Sequence, residues 1–102
     1  MPNIKFHYLY RDWGNYKQYG CIIFSNPTGL NIDELMLLLK QKLIDEQFFY
    51  ANKWNLPDLH FPNWNEQLDH NFHEFERIEY TVEPANTLIN LAEFVKLIVN
   101  SK

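Results

Sequence analysis

Hydrophobic and polar residues alternate in the first part of the chain. In the stretch IKFHYLY, Ile4, Phe6, Tyr8 and Tyr10 occupy every second position. A period of two with aromatic side chains is typical of a strand that buries one face. The stretch CIIFS, residues 21–25, is apolar at consecutive positions. This run predicts a strand that is covered on both faces and lies nearer the middle of a sheet.

Two stretches carry the signals of α-helices. Asn31 is a candidate N-cap with Glu34 three residues later, and Asn90 with Glu93 repeats the same capping box. Apolar residues then recur at helical spacing and predict one buried stripe on each helix. The stripe residues are Ile32, Leu35, Met36, Leu39 and Leu43 in the first helix and Leu91, Phe94, Val95 and Ile98 in the second. Leu37 and the leucine after it widen the first stripe, so this helix is either deeply covered or presents an additional apolar face.

Two more strands and a long connection complete the pattern. Residues 48–54, FFYANKW, predict a third strand, and residues 72–82, FHEFERIEYTV, predict a fourth. Phe75 is out of phase with the apolar positions that follow it, which indicates a β-bulge. Residues 55–71 contain two prolines and four asparagines and predict a long irregular segment. Long loops inside compact domains are uncommon and often functional.

The order of these elements predicts an α+β fold. We expect a four-stranded, mostly antiparallel sheet with two helices packed on one face, in the order ββαββα. No linker or low-complexity segment divides the sequence, so residues 1–102 are predicted to form a single domain.

Composition narrows the class of protein. The chain of 102 residues is 46% hydrophobic and 17% aromatic, which is too apolar for a disordered chain. Its net charge of −4 at pH 7 argues against a general nucleic-acid binder, because neutralising phosphates requires basic residues. The lone cysteine, Cys21, allows no intrachain disulfide and fits a reducing compartment. Neither a signal peptide nor a membrane-spanning run is present, so we expect a soluble cytoplasmic protein.

Histidines and acids cluster in the second half of the chain. His60, Asp69, His70 and His73 fall within fourteen residues, with Asp58 just before them. Imidazole and carboxylate groups are good ligands for zinc or manganese, so these residues are candidate metal ligands. The sequence has no HExxH motif and no paired CxxC, so solvated side chains around a loop are the favoured explanation of the cluster. We therefore predict no cofactor and keep the metal site as an alternative.

Motifs for catalysis are missing. The three glycines form neither a GxGxxG pattern nor a phosphate-binding loop, and no GxSxG elbow surrounds a serine. Cys21 lies within a predicted strand, where a small buried apolar residue is the ordinary interpretation. No catalytic residue is predicted, and an enzyme is the less favoured class.

An acidic stripe follows the fourth predicted strand. Glu74, Glu76 and Glu79 belong to a half of the chain that is strongly acidic. A solvated sheet face would explain them, but the same stripe could dock a basic protein, since complementary charge speeds and selects association.

Aromatic residues recur every three positions in YRDWGNYKQYG, residues 10–20. Trp13 and Tyr16 lie at its centre, with Arg11 and Lys17 beside them. This segment could be a packed β-connection, in which Gly14 and Gly20 supply the turns. It could also be a contact loop, because Trp, Tyr and Arg are enriched in the energetic centres of protein interfaces. Single-stranded nucleic acid is the third alternative, since it is held by stacking aromatics and bases.

The stretches YLYRDWGNYKQYGCIIFSNP, LIDEQFF and NLPDLHF together resemble a family of small uncharacterised bacterial proteins. The pattern of that family is a strand, an aromatic YRDxGNYK turn, a second strand, a helix and an acidic C-terminal half. The resemblance covers most of the chain. It implies a compact stand-alone domain and carries no activity or catalytic residue with it.

The sequence therefore predicts a non-enzymatic, acidic protein-binding module of the inhibitor, immunity or antitoxin type. We expect a protein partner of basic character. The predicted contact residues are Trp13, Tyr16, Trp64, Glu74, Glu76 and Glu79. The alternatives are a metal-binding or metal-dependent hydrolase domain that uses His60, His70 and His73 with Asp69, and a single-stranded nucleic-acid binder that uses residues 10–20. A homodimer through an edge strand or the wide face of the first helix is also open, whereas binding to a membrane is not expected.

Overall fold

The computed structural model describes residues 2–62 and 70–101. Its elements are β1 (Asn3–Arg11), β2 (Lys17–Phe24), α1 (Ile32–Lys42), β3 (Phe48–Phe49), a 3₁₀ helix (Ala51–Trp54), β4 (His73–Thr81) and α2 (Leu91–Asn100). The strands form one sheet in the order β2-β1-β4-β3, and every neighbouring pair is antiparallel. The predicted α+β class, with a four-stranded antiparallel sheet and two helices, is confirmed.

The alternation predicted for β1 is present. Ile4, Phe6, Tyr8 and Tyr10 are all buried. The first three belong to the main core cluster, to which both helices also contribute side chains. Residues at odd positions of β1 point to the opposite face, where Leu9 is buried outside that cluster. The period of two in the sequence therefore reports a strand whose two faces have different environments.

The predicted central position of residues 21–25 is wrong, because β2 is an edge strand. Its apolar residues are nevertheless covered on both faces. Phe24 joins the main core, and Ile23 on the other face is also buried. The connection between β4 and α2 reaches Ile23 through Asn86, which bonds to its backbone N–H and C=O. A loop along the edge thus substitutes for a neighbouring strand.

The third strand is much shorter than predicted. Only Phe48 and Phe49 pair with β4, and the chain then turns into the 3₁₀ helix. This turn lets the Trp54 ring stack on Phe49, with ring centroids 4.6 Å apart and planes 10° apart. Asn55 ends the helix in the left-handed conformation, at φ 56°. Burial of a large ring therefore overrides the strand propensity of this stretch.

The predicted bulge in β4 is confirmed. His7 of β1 lies opposite Arg77, but Tyr8 lies opposite Phe75, so the residue between them has no counterpart in β1. That residue is Glu76. The bulge returns Phe75 to the core side of the sheet, where it packs against the main cluster.

The capping box predicted for the second helix is complete, and the one predicted for the first helix is present in part. At α2, Asn90 and Glu93 form the complete capping box. At α1, Asn31 accepts a hydrogen bond from the backbone of Asp33, 2.8 Å away. Leu37 is 64% exposed, whereas Leu38 packs against the core cluster, so the additional apolar surface of α1 is confined to one side chain. No helix within residues 2–62 and 70–101 combines the length and the apolar character needed to cross a membrane.

The Phe6 ring lies at the centre of the core. Rings from four other elements surround it, at centroid distances from 5.3 to 6.4 Å. These rings belong to Phe49, Trp54, Phe75 and Phe94. Tilted and edge-to-face ring pairs add roughly 0.5–1.5 kcal/mol each beyond the burial of their surface. One side chain of β1 therefore joins β3, the 3₁₀ helix, β4 and α2.

We predict that Phe6→Ala lowers the free energy of unfolding by roughly 3–5 kcal/mol, because it leaves a cavity where these rings meet. Urea denaturation followed by circular dichroism would measure the loss. Leu88→Ala is the control, since the Leu88 side chain is fully exposed and should change stability by no more than about 0.5 kcal/mol. Equal effects of the two substitutions would contradict the central position of Phe6.

Candidate functional site

The tip of the β1–β2 hairpin is a tightly hydrogen-bonded turn. The backbones of Asp12 and Tyr16 are joined by an N–H to C=O bond of 3.0 Å. The Asp12 carboxylate also accepts a hydrogen bond from the Tyr16 N–H, at 2.9 Å. Asn15 donates its backbone N–H to the Asp12 carbonyl and adopts a left-handed conformation, at φ 68°. These bonds give the turn a defined shape before any partner is present.

Three aromatic side chains of this hairpin are exposed together. Trp13 is 66% exposed, Tyr16 72% and Tyr19 59%. Tyr10, which belongs to the same three-residue repeat, is instead buried. The alternation of β1 explains the difference, because Tyr10 has the same parity as Phe6 and Tyr8 and so faces the core.

Of the two glycines that were predicted to supply the turns, only Gly14 lies in the turn. Asn15 is the residue in the left-handed region, whereas Gly20 lies within β2. A Cβ atom on Gly20 would stand 3.0 Å from both terminal methyl groups of Leu59. Gly20 therefore leaves room for Leu59, so that the segment after the 3₁₀ helix can cross the core side of the hairpin.

The base of the hairpin is fixed to β4 by an ion pair. The Arg11 guanidinium donates two hydrogen bonds to the Glu74 carboxylate, at 2.8 and 3.2 Å, and a third to the Asn15 side chain. The two hydrogen bonds to Glu74 are the primary cause that raises the pKa of Arg11 above its usual value. Because Asn15 is part of the turn, this arginine connects the tip of the hairpin to the body of the sheet.

The rest of the predicted acidic stripe is also paired with bases. Glu79 contacts His7 at 2.5 Å and Arg77 at 3.3 Å, and Glu76 lies 3.4 Å from Arg77. The hydrogen bond with His7 is the main cause that lowers the pKa of Glu79. The structure thus brings Glu74, Glu76 and Glu79 onto β4 as predicted, where Glu74 pairs with Arg11 while Glu76 and Glu79 share Arg77.

A cluster of three histidines surrounds the buried Tyr10 ring. The centroids of His60, His70 and His73 lie 4.3, 5.3 and 5.2 Å from the centroid of Tyr10. The Tyr10 hydroxyl donates to the backbone carbonyl of His70, and the Tyr8 hydroxyl donates to that of Pro57, each at 2.7 Å. Two tyrosines of β1 therefore bind the backbone at Pro57, shortly before His60, and at His70.

His73 is a buried, neutral member of the cluster. Its Nε2 atom accepts a hydrogen bond from the backbone N–H of Leu59, at 3.0 Å, which places the ring proton on Nδ1. Burial lowers the pKa of His73 from 6.5 to about 4, and the neighbouring histidines lower it further against the opposing effect of Asp58. His73 therefore acts as an acceptor that fixes the backbone at Leu59.

Asp58 pairs with His60 at the mouth of this cluster. The carboxylate accepts hydrogen bonds from the His60 backbone and ring. Partial burial opposes ionisation of Asp58, but the bonds from His60 outweigh it and lower the pKa of the carboxyl. The His73 ring lies 3.5 Å from the same carboxylate. The sequence placed Asp58 near these histidines. It did not show that the backbone N–H of Leu59, the residue between Asp58 and His60, donates a hydrogen bond to the His73 ring.

The structure describes only some of the residues of the predicted metal site. Within residues 2–62 and 70–101, no group of three or more His, Cys, Asp or Glu side chains could hold a metal ion. The lone pair of His73 Nε2 already accepts the Leu59 amide proton. Asp69, the carboxylate of the predicted ligand set, lies outside the described residues, as does Trp64 of the predicted contact surface. A site that includes Asp69 stays a prediction.

A cleft of about 440 Å³ opens beside the histidines. Its lining is formed by Tyr50, Ala51, Asn52, Lys53, Leu56, Asp58, His60, Asn71 and His73. The volume would suit a small molecule, but binding pockets are typically lined by more apolar surface than this one. The Asp58–His60 pair could accept a proton, yet none of the described lining residues is a serine, threonine or cysteine that could act as a nucleophile.

Comparison of the chain with models of known protein families, with curated proteins and with solved structures finds no match.

Acid should destabilise the fold through His73. Unfolded His73 takes up a proton near pH 6.5, whereas the folded form does so only near pH 4. The stability is therefore complete above about pH 6.5 and is lost as the pH falls toward 4, by about 2 kcal/mol between about pH 7 and about pH 5. Urea denaturation at a series of pH values measures this loss. His73→Gln should flatten the dependence in that interval, whereas the control His7→Gln should retain it. A flat profile for the unmodified protein would contradict the neutral state of His73.

The shape of the hairpin turn should depend on the Asp12 side chain. Asp12→Ala removes the charged acceptor of the Tyr16 N–H, a loss of about 1.5–3 kcal/mol, so exchange of that amide proton should become at least about tenfold faster. Hydrogen exchange followed by NMR would show it. Asp12→Asn keeps an oxygen acceptor and should cause a smaller increase. Unchanged exchange in Asp12→Ala would show that the backbone alone shapes the turn.

Proposed function

We propose that the protein is a non-enzymatic protein-binding module whose contact surface is the aromatic tip of the β1–β2 hairpin. The observation that carries the proposal is the exposure of both Trp13 and Tyr16 on one ordered turn, and Tyr19 on the adjoining strand β2 is exposed as well. Tryptophan and tyrosine dominate the energetic centres of protein interfaces. An inhibitor, immunity or antitoxin role is the kind of activity that such a module would perform.

Exposure of these three rings is unusual for so small a domain. Fourteen described residues bury their apolar side chains almost completely in the core cluster around β1 and both helices, yet the hairpin leaves large rings in water. Contiguous exposed apolar surface marks binding sites more often than scattered single residues do. Covering the hairpin tip with a partner would remove this surface from water.

Rigidity of the tip supports the same function. Asp12 closes the turn through two bonds to Tyr16, and Arg11 fixes it to Glu74. A loop that already has its bound shape loses little conformational entropy on binding, so more of the contact energy appears as affinity. Rigid aromatic anchors on an ordered turn are also the arrangement that binding loops of antibodies use.

Charge gives less support to the acidic stripe as the docking surface. Glu74, Glu76 and Glu79 each lie against a base of the same sheet, so little net negative charge is left there for a basic partner. We therefore propose the hairpin tip as the main contact. Three points stay predictions: the basic character of the partner, the contribution of Trp64 and a cytoplasmic location. Cys21 is a free thiol in the structure, which agrees with a reducing compartment.

The two alternatives have weaker support. Metal-dependent chemistry would have to use Asp69 with His60 and His70, since His73 Nε2 already accepts a hydrogen bond from the Leu59 N–H. Binding of single-stranded nucleic acid would need several basic side chains near the aromatic rings. Arg11 is already paired with Glu74, and Lys17 is the one other basic residue in that segment.

We also propose that both helices pack on the same face of the sheet. Leu35 and Leu39 of α1 and Phe94 and Ile98 of α2 belong to one core cluster with Phe6 of β1. This shared cluster supports the placement of both helices on the same face of the sheet, which leaves the opposite face with its ion pairs facing solvent.

The proposal predicts that a stoichiometric partner can be captured from the native host and that its binding depends on the tip. With the purified partner in isothermal titration, Trp13→Ala and Tyr16→Ala should each weaken the affinity by about thirtyfold, as expected for residues that contribute about 2 kcal/mol. Val82→Ala is the matched control, because it removes an almost fully exposed apolar side chain elsewhere and should leave the affinity unchanged.

The same titration distinguishes the two surfaces. Glu76→Gln removes a carboxylate of the acidic stripe without touching the turn, and we expect it to bind the partner normally. A large loss in Glu76→Gln with no loss in Trp13→Ala would show that the stripe makes the contact. Failure to capture any stoichiometric partner at moderate salt would refute the protein-binding function.

A further inference from the structure

The outer edge of β2 is covered at one end and open at the other. Asn86 bonds to Ile23 with both its side chain and its backbone, and the Leu91 N–H donates to the Ser25 carbonyl. Both groups of Ile23 therefore point away from β1. Because backbone groups along a strand alternate between its two edges, those of Cys21, Tyr19 and Lys17 point outward as well.

The open part of this edge comprises these three residues. Within residues 2–62 and 70–101, no hydrogen bond reaches the outward N–H and C=O groups of Lys17, Tyr19 or Cys21. Neither a bulge nor a proline interrupts the edge, although both are common devices that protect exposed strands. An edge of this kind can extend the sheet by pairing with another strand.

We propose that this edge binds the same edge of a second copy of the chain, so that two β2 strands pair antiparallel about a twofold axis at Tyr19. In this register Tyr19 lies opposite Tyr19 of the second copy, and Lys17 lies opposite Cys21 of the second copy. All three open residues then exchange both backbone hydrogen bonds with their counterparts, because the edge is complementary to itself under a twofold rotation.

The charges of the edge fit a second copy. Lys17 is the only charged residue between positions 17 and 24. The antiparallel register separates the two Lys17 residues by four positions along the strands, about 13 Å, which exceeds the screening length of about 10 Å at moderate salt. The exposed Tyr19 rings meet across the axis on one face of the sheet. Parallel pairing in register would instead have placed Lys17 opposite Lys17 of the second copy, with like charges next to each other.

The dimer would join two four-stranded sheets into one continuous sheet of eight strands. Because the hairpins run antiparallel, their tips would lie at opposite ends of the joined strands. Trp13 and Tyr16 lie outside β2, so each tip would keep these two rings for a partner, whereas Tyr19 would be covered by the second copy. The inference is therefore independent of the proposed function, and the assembly would be bivalent toward a partner.

Sedimentation velocity over concentrations from low micromolar to near millimolar tests the assembly. We expect a reversible species with twice the mass of the chain. Tyr19→Pro should abolish it and keep the fold, because it removes an N–H that points away from β1. A chain that remains monomeric throughout this range would overturn the proposal.

A cysteine introduced at position 17 tests the register, even where Tyr19→Pro alters the fold. Lys17→Cys should form a covalent dimer with native Cys21 of the second copy under mild oxidation, since opposed residues of a hydrogen-bonded pair have Cα atoms about 5.5 Å apart. Lys17→Cys combined with Cys21→Ser should not cross-link, and neither should Gln18→Cys, whose side chain points to the other face. Equal cross-linking in all three would overturn the pairing.

Discussion

The packing of the Phe6 ring against four aromatic side chains is the constraint on which the rest of the structure depends. It joins β1 to β3, to the 3₁₀ helix, to β4 and to α2. The neighbouring core positions of β1 extend the same role toward the hairpin. Tyr8 and Tyr10 bury their rings and use their hydroxyls to hold Pro57 and His70. One alternating strand thus organises both the core and the irregular segment that lies beside the candidate site.

The two faces of the sheet solve different physical problems. On the core side, rings and leucines exclude water. On the other side, carboxylates and bases of neighbouring strands neutralise one another, as in the pairs of Lys5 with Glu83 and Arg11 with Glu74. Glu74, Glu79 and Glu83 of the second half of the chain are therefore paired with basic side chains of β1. The rings of Trp13 and Tyr16 at the hairpin tip are instead largely exposed, and this contrast is why the tip rather than the acidic stripe carries the functional proposal.

The sequence predicted those features that depend on local chemistry. The period of two in β1, the out-of-phase Phe75, the Asn90 capping box and the α+β class are all visible in neighbouring residues. It failed where a distant contact decides. The strand expected at residues 48–54 becomes a 3₁₀ helix because Trp54 packs on Phe49, and β2 lies at an edge because Asn86 covers Ile23. For the candidate site, the aromatic repeat identified the tip, but only the fold shows that Tyr10 leaves it and that Arg11 and Glu79 each have a partner.

The position of β1 between β2 and β4 also has a consequence for biosynthesis. Its first edge pairs with residues of the adjacent hairpin strand, which a ribosome delivers within moments. Its second edge pairs with β4, where Arg77 opposite His7 is seventy residues later in the chain. Pairings so distant in sequence close slowly, and exposed strand edges attract other chains until they close. The nascent β1–β2 hairpin therefore lacks the hydrogen bonds of one edge of β1 until β4 has been synthesised, and the sheet can be completed only late in synthesis.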